Sequence, residues 1–213
     1  DSSVQIAKSL GAMVYFHEVA KDFATQRNFG LEKAKGDWVL FLDADERVTE
    51  ALKLEIQATL ALRRNRYSGY RVKREDFLFG TALKHGETAR SSFIRLGKKD
   101  SGTWVGPVHE TWRLRGHIGK LEMPLMHYPH STVSEFLTSV NLYTDIRARE
   151  LYKKKVKSTW YLILLYPKAK FLKNYFLDLG ILDGMPGLIS ALMMSFHSFL
   201  VRSKLWLLWQ SRS

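Results

Sequence analysis

Apolar and polar positions along the first half of the chain follow two alternating periods. Val4 to Leu10 is a short run of helix-forming residues closed by Gly11, and Ala12 to Phe16 reads as a short strand. Phe23 to Lys35 carries Phe23, Arg27, Gly30, Leu31 and Ala34 at roughly helical spacing and stops at Gly36. Trp38 to Leu42 then gives five successive apolar residues, the pattern of a strand covered on both faces in a parallel sheet. Helix, strand, helix, strand with short links predicts an α/β unit whose crossovers cover a parallel sheet.

Thr49 to Arg66 predicts a third helix, with Leu52, Ile56 and Leu60 on one stripe. Tyr67 to Arg74 alternates, Tyr70 and Val72 against Arg71 and Lys73, as a strand with one wet face does. Ser92 to Leu96 and Leu121 to His127 read as further short apolar runs. Gly97 to Gly119, rich in Gly, Trp, His and charge, reads as a long irregular stretch suited to an active-site loop. Ser134 to Lys155 predicts a helix with Phe136, Val140, Tyr143 and Ile146 on one side.

From Ser158 the pattern changes in kind, which divides the chain into an α/β region, 1–150, and a basic, apolar helical tail, 151–213. Trp160 to Tyr166 is apolar, Phe171 to Leu182 is amphipathic, and Gly184 to Val201 runs 18 residues without a formal charge. That length is at the lower edge of a membrane span, and Pro186, Gly187 and the serines make it a poor one. The expected form is helices lying in a membrane interface, with Lys168, Lys170, Arg202 and Lys204 at headgroup depth and Trp206 and Trp209 as anchors. The competing form is a helical subdomain that packs its apolar faces on the core or on a second copy.

With 213 residues and 46% hydrophobic content, the chain can bury one good core. It has no cysteine, which fits a reducing cytoplasm and excludes disulfides and cysteine-ligated zinc. The net charge of +12 is uneven: residues 1–150 hold 23 Lys and Arg against 19 Asp and Glu, and residues 151–213 hold 10 against 2. The basic excess therefore sits among Leu, Phe, Tyr and Trp. That combination favours an anionic membrane surface over nucleic acid, which calls for exposed polar basic faces.

Asp43, Asp45 and Glu46 follow the Trp38–Leu42 run directly, where open α/β sheets bind ligands beyond the carboxyl ends of their strands. Asp43 and Asp45, one small residue apart, suit Mg2+ or Mn2+ carrying a diphosphate. On spacing alone, the same acids equally suit the start of the next helix.

The ordered series Gln26-Arg27-Asn28, Gly36 to Glu46, Lys84-His85-Gly86, Ile94-Arg95-Leu96, Val108-His109-Glu110 and His127-Tyr128 resembles the family 2 glycosyltransferases. Within that family it is similar to the lipopolysaccharide inner-core β-1,4-glucosyltransferases. The resemblance runs over nearly the whole chain and includes Asp183-Gly184 and Gly187. It implies a GT-A fold, Rossmann-like with a mainly parallel sheet flanked by helices, here with a helical, membrane-associating C-terminal extension. It further implies transfer, with inversion, of a hexose, glucose by resemblance, from a nucleotide-sugar donor such as a UDP-sugar. The acceptor would be a lipid-linked saccharide such as the lipopolysaccharide core, at the cytoplasmic face of the inner membrane. Asp1-Ser2-Ser3 resembles the end of the loop after the family's second strand, which places the first strand and its nucleotide-binding loop before Asp1.

Residue by residue, Asp43 and Asp45 match the family's Asp-x-Asp motif, whose carboxylates hold the ribose and a divalent metal, Mg2+ or Mn2+. His127 resembles a downstream His that approaches the metal or the diphosphate. Lys84 and His85 would face the donor phosphates or sugar, and Arg27 and Asn28 would line the nucleotide pocket. Single displacement with inversion needs a carboxylate to take the acceptor proton. Glu110, at the family's His-Glu dipeptide, is the candidate, and the pair Glu75-Asp76 is its rival. A lone His is more often a hydrogen-bonded structural residue than a ligand, which is the competing role for His109, His127 and His130. The alternative from another class is a non-catalytic membrane-binding or scaffold protein that retains the fold.

Overall fold

Side chains that satisfy the free amides of the first turn set the helix starts. In the computed structural model, which describes residues 2–18, 22–62, 65–106 and 110–211, three helices begin this way. Asp22 accepts from the Thr25 N–H (3.2 Å) at the start of α2 (Phe23–Lys33), and Thr49 accepts from the Leu52 N–H (3.1 Å) at the start of α3 (Glu50–Leu60). Thr132 accepts from the Glu135 N–H (3.2 Å) at the start of α4 (Val133–Lys153). The helix Ser3–Ser9 is α1. The third helix stops at Leu60, short of the expected Arg66, and residues 63 and 64 lie outside the described residues.

The strands are β1 (Trp38–Leu40), β2 (Glu46–Val48), β3 (Tyr67–Leu78), β4 (Thr81–Leu83), β5 (Ser92–Lys98), β6 (Gly102–Val105), β7 (Thr111–Leu114) and β8 (His117–His130). The main sheet runs β1-β5-β3-β8-β2, with β4 hydrogen-bonded to β3. Of its five ladders only β3 with β8 is parallel, so the sheet is mixed and mainly antiparallel rather than mainly parallel as expected. The apolar run at β1 did report coverage correctly. Trp38 and Leu40 pack into a core with Leu52, Tyr70 and Leu121 on one face, while Val39 and Phe41 pack with Leu31, Trp104 and Trp112 on the other. Burial on both faces does not fix strand direction, and β1 runs antiparallel to β5.

Two other expectations are corrected. Residues 12–16 form no strand, since no ladder partner for them exists among the described residues, and Phe16 stays exposed. The stretch Gly97 to Gly119 is largely ordered: β6 and β7 pair antiparallel, with Trp104 opposite Trp112. Their rings stack at 5.5 Å, and Phe41 meets both edge-on at 5.0 Å, so the aromatic content of the stretch builds a core. Residues 107–109 within it, His109 among them, lie outside the described residues.

The C-terminal helices are α5 (Trp160–Leu172) and α6 (Gly184–Gln210), joined through a π turn at Lys173–Leu177 and a 3-10 turn at Gly180–Asp183. Met193 of α6 packs with Phe136 and Val140 of α4 and with Leu78 and Leu83 of β3 and β4, so α6 shares a core with the sheet. Three of the cations expected at headgroup depth have partners within the chain: Lys204 on Asp145 (2.7 Å), Lys170 on Glu87 (2.7 Å) and Arg202 over the Tyr166 ring (3.9 Å). Large apolar side chains nonetheless remain exposed on these helices and on the turns that join them, including Trp160, Leu177, Leu182 and Met185. The segment Gly180–Gln210 is long and apolar enough to cross a membrane.

Candidate functional site

Because β1 is antiparallel to β5, β5 antiparallel to β3, and β3 parallel to β8, the carboxyl ends of β1, β3 and β8 point the same way. The chain leaves β1, turns through Asp43 to Glu46, and enters β2 on the opposite edge of the sheet. The turn is closed from both sides: the Glu46 N–H donates to the Asp43 carbonyl (3.0 Å) and the Asp43 N–H donates to the Glu46 carboxylate (3.0 Å). The Tyr128 N–H donates to the Asp45 carbonyl (2.8 Å), which ties the turn to the end of β8.

Two charged clusters form around this turn. In the first, Arg27 of α2 donates to Asp43 through Nη2 (2.8 Å) and to Glu110 through Nε (2.7 Å), while its guanidinium lies over the Trp104 ring at 4.7 Å. Arg95 of β5 donates to the other Asp43 oxygen (2.6 Å) and to the buried Glu46 (2.6 Å). Both carboxylate oxygens of Asp43 are thus held by guanidinium groups. Burial works to raise the Asp43 carboxyl, but the charges of Arg95 and Arg27 outweigh it and hold the group below its ordinary value.

In the second cluster, His127 of β8 bonds through Nδ1 to Asp76 of β3 (2.7 Å) and faces Asp45 through Nε2 (3.3 Å). Register explains the meeting, since His127 stands opposite Asp76 on one side and Glu46 on the other. Arg74 Nε also contacts Asp76 (2.9 Å). Burial works to lower the imidazole, but the hydrogen bonds to Asp45 and Asp76 prevail and raise it to about 8. The His127 hydrogen bond in turn lowers Asp45 against a smaller effect of burial. Asp76, which burial would raise, is brought below its ordinary value by His127 and Arg74.

The expected site residues therefore fall into groups. Asp43, Arg27 and Glu110 are brought together, and so are Asp45 and His127. Asn28 spends its amide on β6, donating to the Trp104 carbonyl (3.0 Å) and accepting from the Trp104 N–H (2.8 Å). It also lines an open cleft of about 590 Å³ with Leu31, Lys99, Arg113 and Arg115, which holds none of Asp43, Asp45, Glu110 or His127. Lys84 and His85 lie on the loop after β4, where Asp183 accepts from both of their backbone N–H groups (3.2 and 2.8 Å). Asp76, half of the rival base pair, is buried and holds His127 and Arg74.

Glu46, grouped from the sequence with Asp43 and Asp45 beyond the end of the apolar run, is in the network as the buried partner of Arg95, and Arg95 was given no role of its own among the expected site residues. The signal for Arg95 was available: a cation between Ile94 and Leu96 in an apolar run must be paired if buried.

Asp45, its side chain 44% exposed, and Asp43, 37% exposed with one guanidinium on each oxygen, are the carboxylates of this site that reach solvent, while the His127 ring is 11% exposed with Nε2 on Asp45. Among the described residues no cluster of three or more Asp, Glu or His side chains is arranged to hold a metal.

A mixed sheet flanked by helices, with acidic side chains gathered at the carboxyl ends of its strands, defines an α/β protein with a candidate ligand site at one end of its sheet. The model of the family described as Glycosyl transferase family 2 matches residues 1–120, and the chain belongs to that family of transferases. It is similar to the lipopolysaccharide core biosynthesis glycosyltransferase LpsC of Rhizobium meliloti, 25% identical over 195 residues, which cover 90% of this chain and 72% of the relative. It is also similar to uncharacterized glycosyltransferases of Rickettsia typhi (26% over 216 residues, 96% and 74% covered) and Rickettsia conorii (26% over 221 residues, 96% and 76% covered).

Proposed function

We propose that this chain transfers a hexose, glucose by resemblance, from a nucleotide-sugar donor to a lipid-linked glycan acceptor, with inversion at the anomeric carbon. The observation that carries the reading is the pairing of the two clusters at one end of the sheet: exposed Asp45 beside His127, and Glu110 held on the same arginine as Asp43. The similarity to LpsC, named for lipopolysaccharide core biosynthesis, supports a lipopolysaccharide core acceptor.

Each residue has a task under this reading. Asp45 and His127 would hold Mg2+ or Mn2+, and their number fits cations that take one or two protein ligands and complete their shell with substrate phosphates and water. Such an ion supplies neutralisation of the charge that builds on the departing diphosphate. Asp76 fixes the His127 ring through Nδ1, as the outer partner of a ligating His does. Asp43, clamped by Arg27 and Arg95, gives the donor pocket a fixed carboxylate wall suited to ribose hydroxyls. Glu110 takes the proton from the acceptor hydroxyl as it attacks, and Arg27 sets its orientation. The exposed apolar surface of α5 and α6 supports a position at the membrane, where lipid-linked acceptors are found.

Transfer from UDP-glucose to purified lipopolysaccharide core, with Mg2+ or with EDTA, tests the reading alongside Asp45→Asn and Glu110→Gln. The expected loss for Glu110→Gln is about 10²-fold or more in kcat, the range for removing a general base. Undiminished turnover by Glu110→Gln removes it as the base, and full activity of Asp45→Asn or in EDTA removes the metal. Absence of transfer by the folded full-length protein would favour a scaffold role.

A further inference from the structure

The loop that leaves β4 is held from the C-terminal helices. Asp183, with its side chain 5% exposed, accepts from the Lys84 N–H (3.2 Å) and the His85 N–H (2.8 Å), and bonds the His85 ring at Nδ1 (2.8 Å). The Gly86 N–H donates to the Asp178 carbonyl (2.8 Å), and Glu87 takes the Lys170 ammonium (2.7 Å). Every one of these anchors comes from residues 170–183. The cavity between loop and helices is about 10 Å³, room for a single water, so this is a closed joint and not a ligand pocket.

The joint borders the site. Leu83 stands opposite Asp76 in the β3–β4 ladder, and Asp76 stands opposite His127 in the β3–β8 ladder. Lys84 and His85 follow Leu83 directly, one and two residue steps of about 3.3 Å beyond that row. Lys84 is exposed, and its ammonium enters no ion pair recorded among the described residues. A backbone held by a buried carboxylate through charge-assisted hydrogen bonds is fixed far more firmly than a free loop.

We infer that Asp183 is a positioning residue for the transfer site: it fixes the Lys84-His85 backbone so that the Lys84 ammonium meets the diphosphate of the nucleotide-sugar donor. This rests on the transferase reading above. It makes the C-terminal helices part of the donor site and not only a means of attachment. One Asp183 oxygen accepts from the Lys84 N–H and meets the His85 ring, and the other accepts from the His85 N–H; Asn at position 183 keeps the shape but replaces one of these two acceptors by an NH2 group, so at least one backbone bond is lost.

The test uses the full chain with Asp183→Asn, Lys84→Met and the double variant, reading donor KM and kcat with UDP-glucose and hydrogen exchange of the amides of residues 84–87. Asp183→Asn is expected to speed exchange there and to raise donor KM about tenfold, with kcat changed far less. Lys84→Met should raise donor KM similarly while leaving exchange at the parent rate, and the double variant should be little worse than the worse single one. A donor KM for Asp183→Asn within about twofold of the parent overturns the inference, as does a loss confined to kcat, or two KM effects that multiply. A parent that transfers while Asp183→Asn behaves identically overturns the inference alone. A parent that transfers no sugar overturns it together with the transferase reading.

Discussion

Asp43 and Asp45 are two residues apart, and their surroundings put them to different uses. Asp43 is locked between two guanidinium groups, while Asp45 keeps an exposed carboxylate beside an imidazole that Asp76 orients. The His127 pair makes stability depend on pH. Its folded value, about 8, lies above the ordinary 6.5, so the proton-bound ion pairs contribute fully below pH 6.5, and the contribution is lost as pH rises through 8. A shift of that size corresponds to about 2 kcal/mol, less what solvent screening removes at half-exposed Asp45. Melting in EDTA from pH 6 to 9 should therefore show a falling midpoint that His127→Gln flattens, and an unchanged slope in that variant would sink the assignment. The acids at 43 and 45 were legible because they end an apolar run. Arg95 stood out as a cation inside an apolar run, but its partner Glu46, 49 positions away, was not legible from any local pattern.

At the scale of elements, what was legible is coverage, and what was hidden is direction and pairing. The apolar run at β1 and the stripe Leu52, Ile56, Leu60 on α3 meet in one core as their patterns required. The strand directions of the mixed sheet depend on partners far along the chain, and the pairing of β6 with β7 lies in a Gly- and Trp-rich stretch without a clear strand period, so no local period reports either. Close approach of backbones is likewise invisible in a helical pattern. A Cβ at Gly187, the fourth residue of α6, would stand 2.1 Å from the Gly180 carbonyl oxygen and 2.9 Å from the Asp183 Cβ. At Gly30 of α2 the nearest atom is a Phe41 ring carbon at 3.8 Å. Ala is favoured over Gly inside a helix by about 1 kcal/mol, so Gly30→Ala should stabilise by up to that amount. At Gly187 the clash is with backbone and wins: Gly187→Ala should destabilise by about 1–3 kcal/mol. Urea midpoints for the two variants must move in opposite directions, and a shift of the same sign in both would contradict the packing of α6 on the 3-10 turn.

For the molecule as a whole, the split of charge between the two regions was legible in composition, but the employment of those charges was not. Lys170, Arg202 and Lys204 are engaged by Glu87, Tyr166 and Asp145, so they are partly withdrawn from any lipid headgroup. The exposed apolar surface of the same helices is not withdrawn: Trp160 is 73% exposed, and Leu177, Leu182 and Met185 are all open to solvent. If membrane binding is driven by this surface, salt should weaken it only modestly, because screening acts on exposed charge and not on apolar burial. Each fully buried Leu-sized side chain contributes about 1.5–3 kcal/mol, so replacing Trp160 and Leu177 together by Ser should lower partitioning onto vesicles at least about tenfold. Cosedimentation with vesicles containing anionic lipid, at about 0.1 and 0.5 M salt, measures both effects. Binding that vanishes at the higher salt and ignores the two substitutions would assign the attachment to charge. Absence of vesicle binding, with self-association that the same substitutions abolish, would instead assign the apolar face to a second copy of the chain.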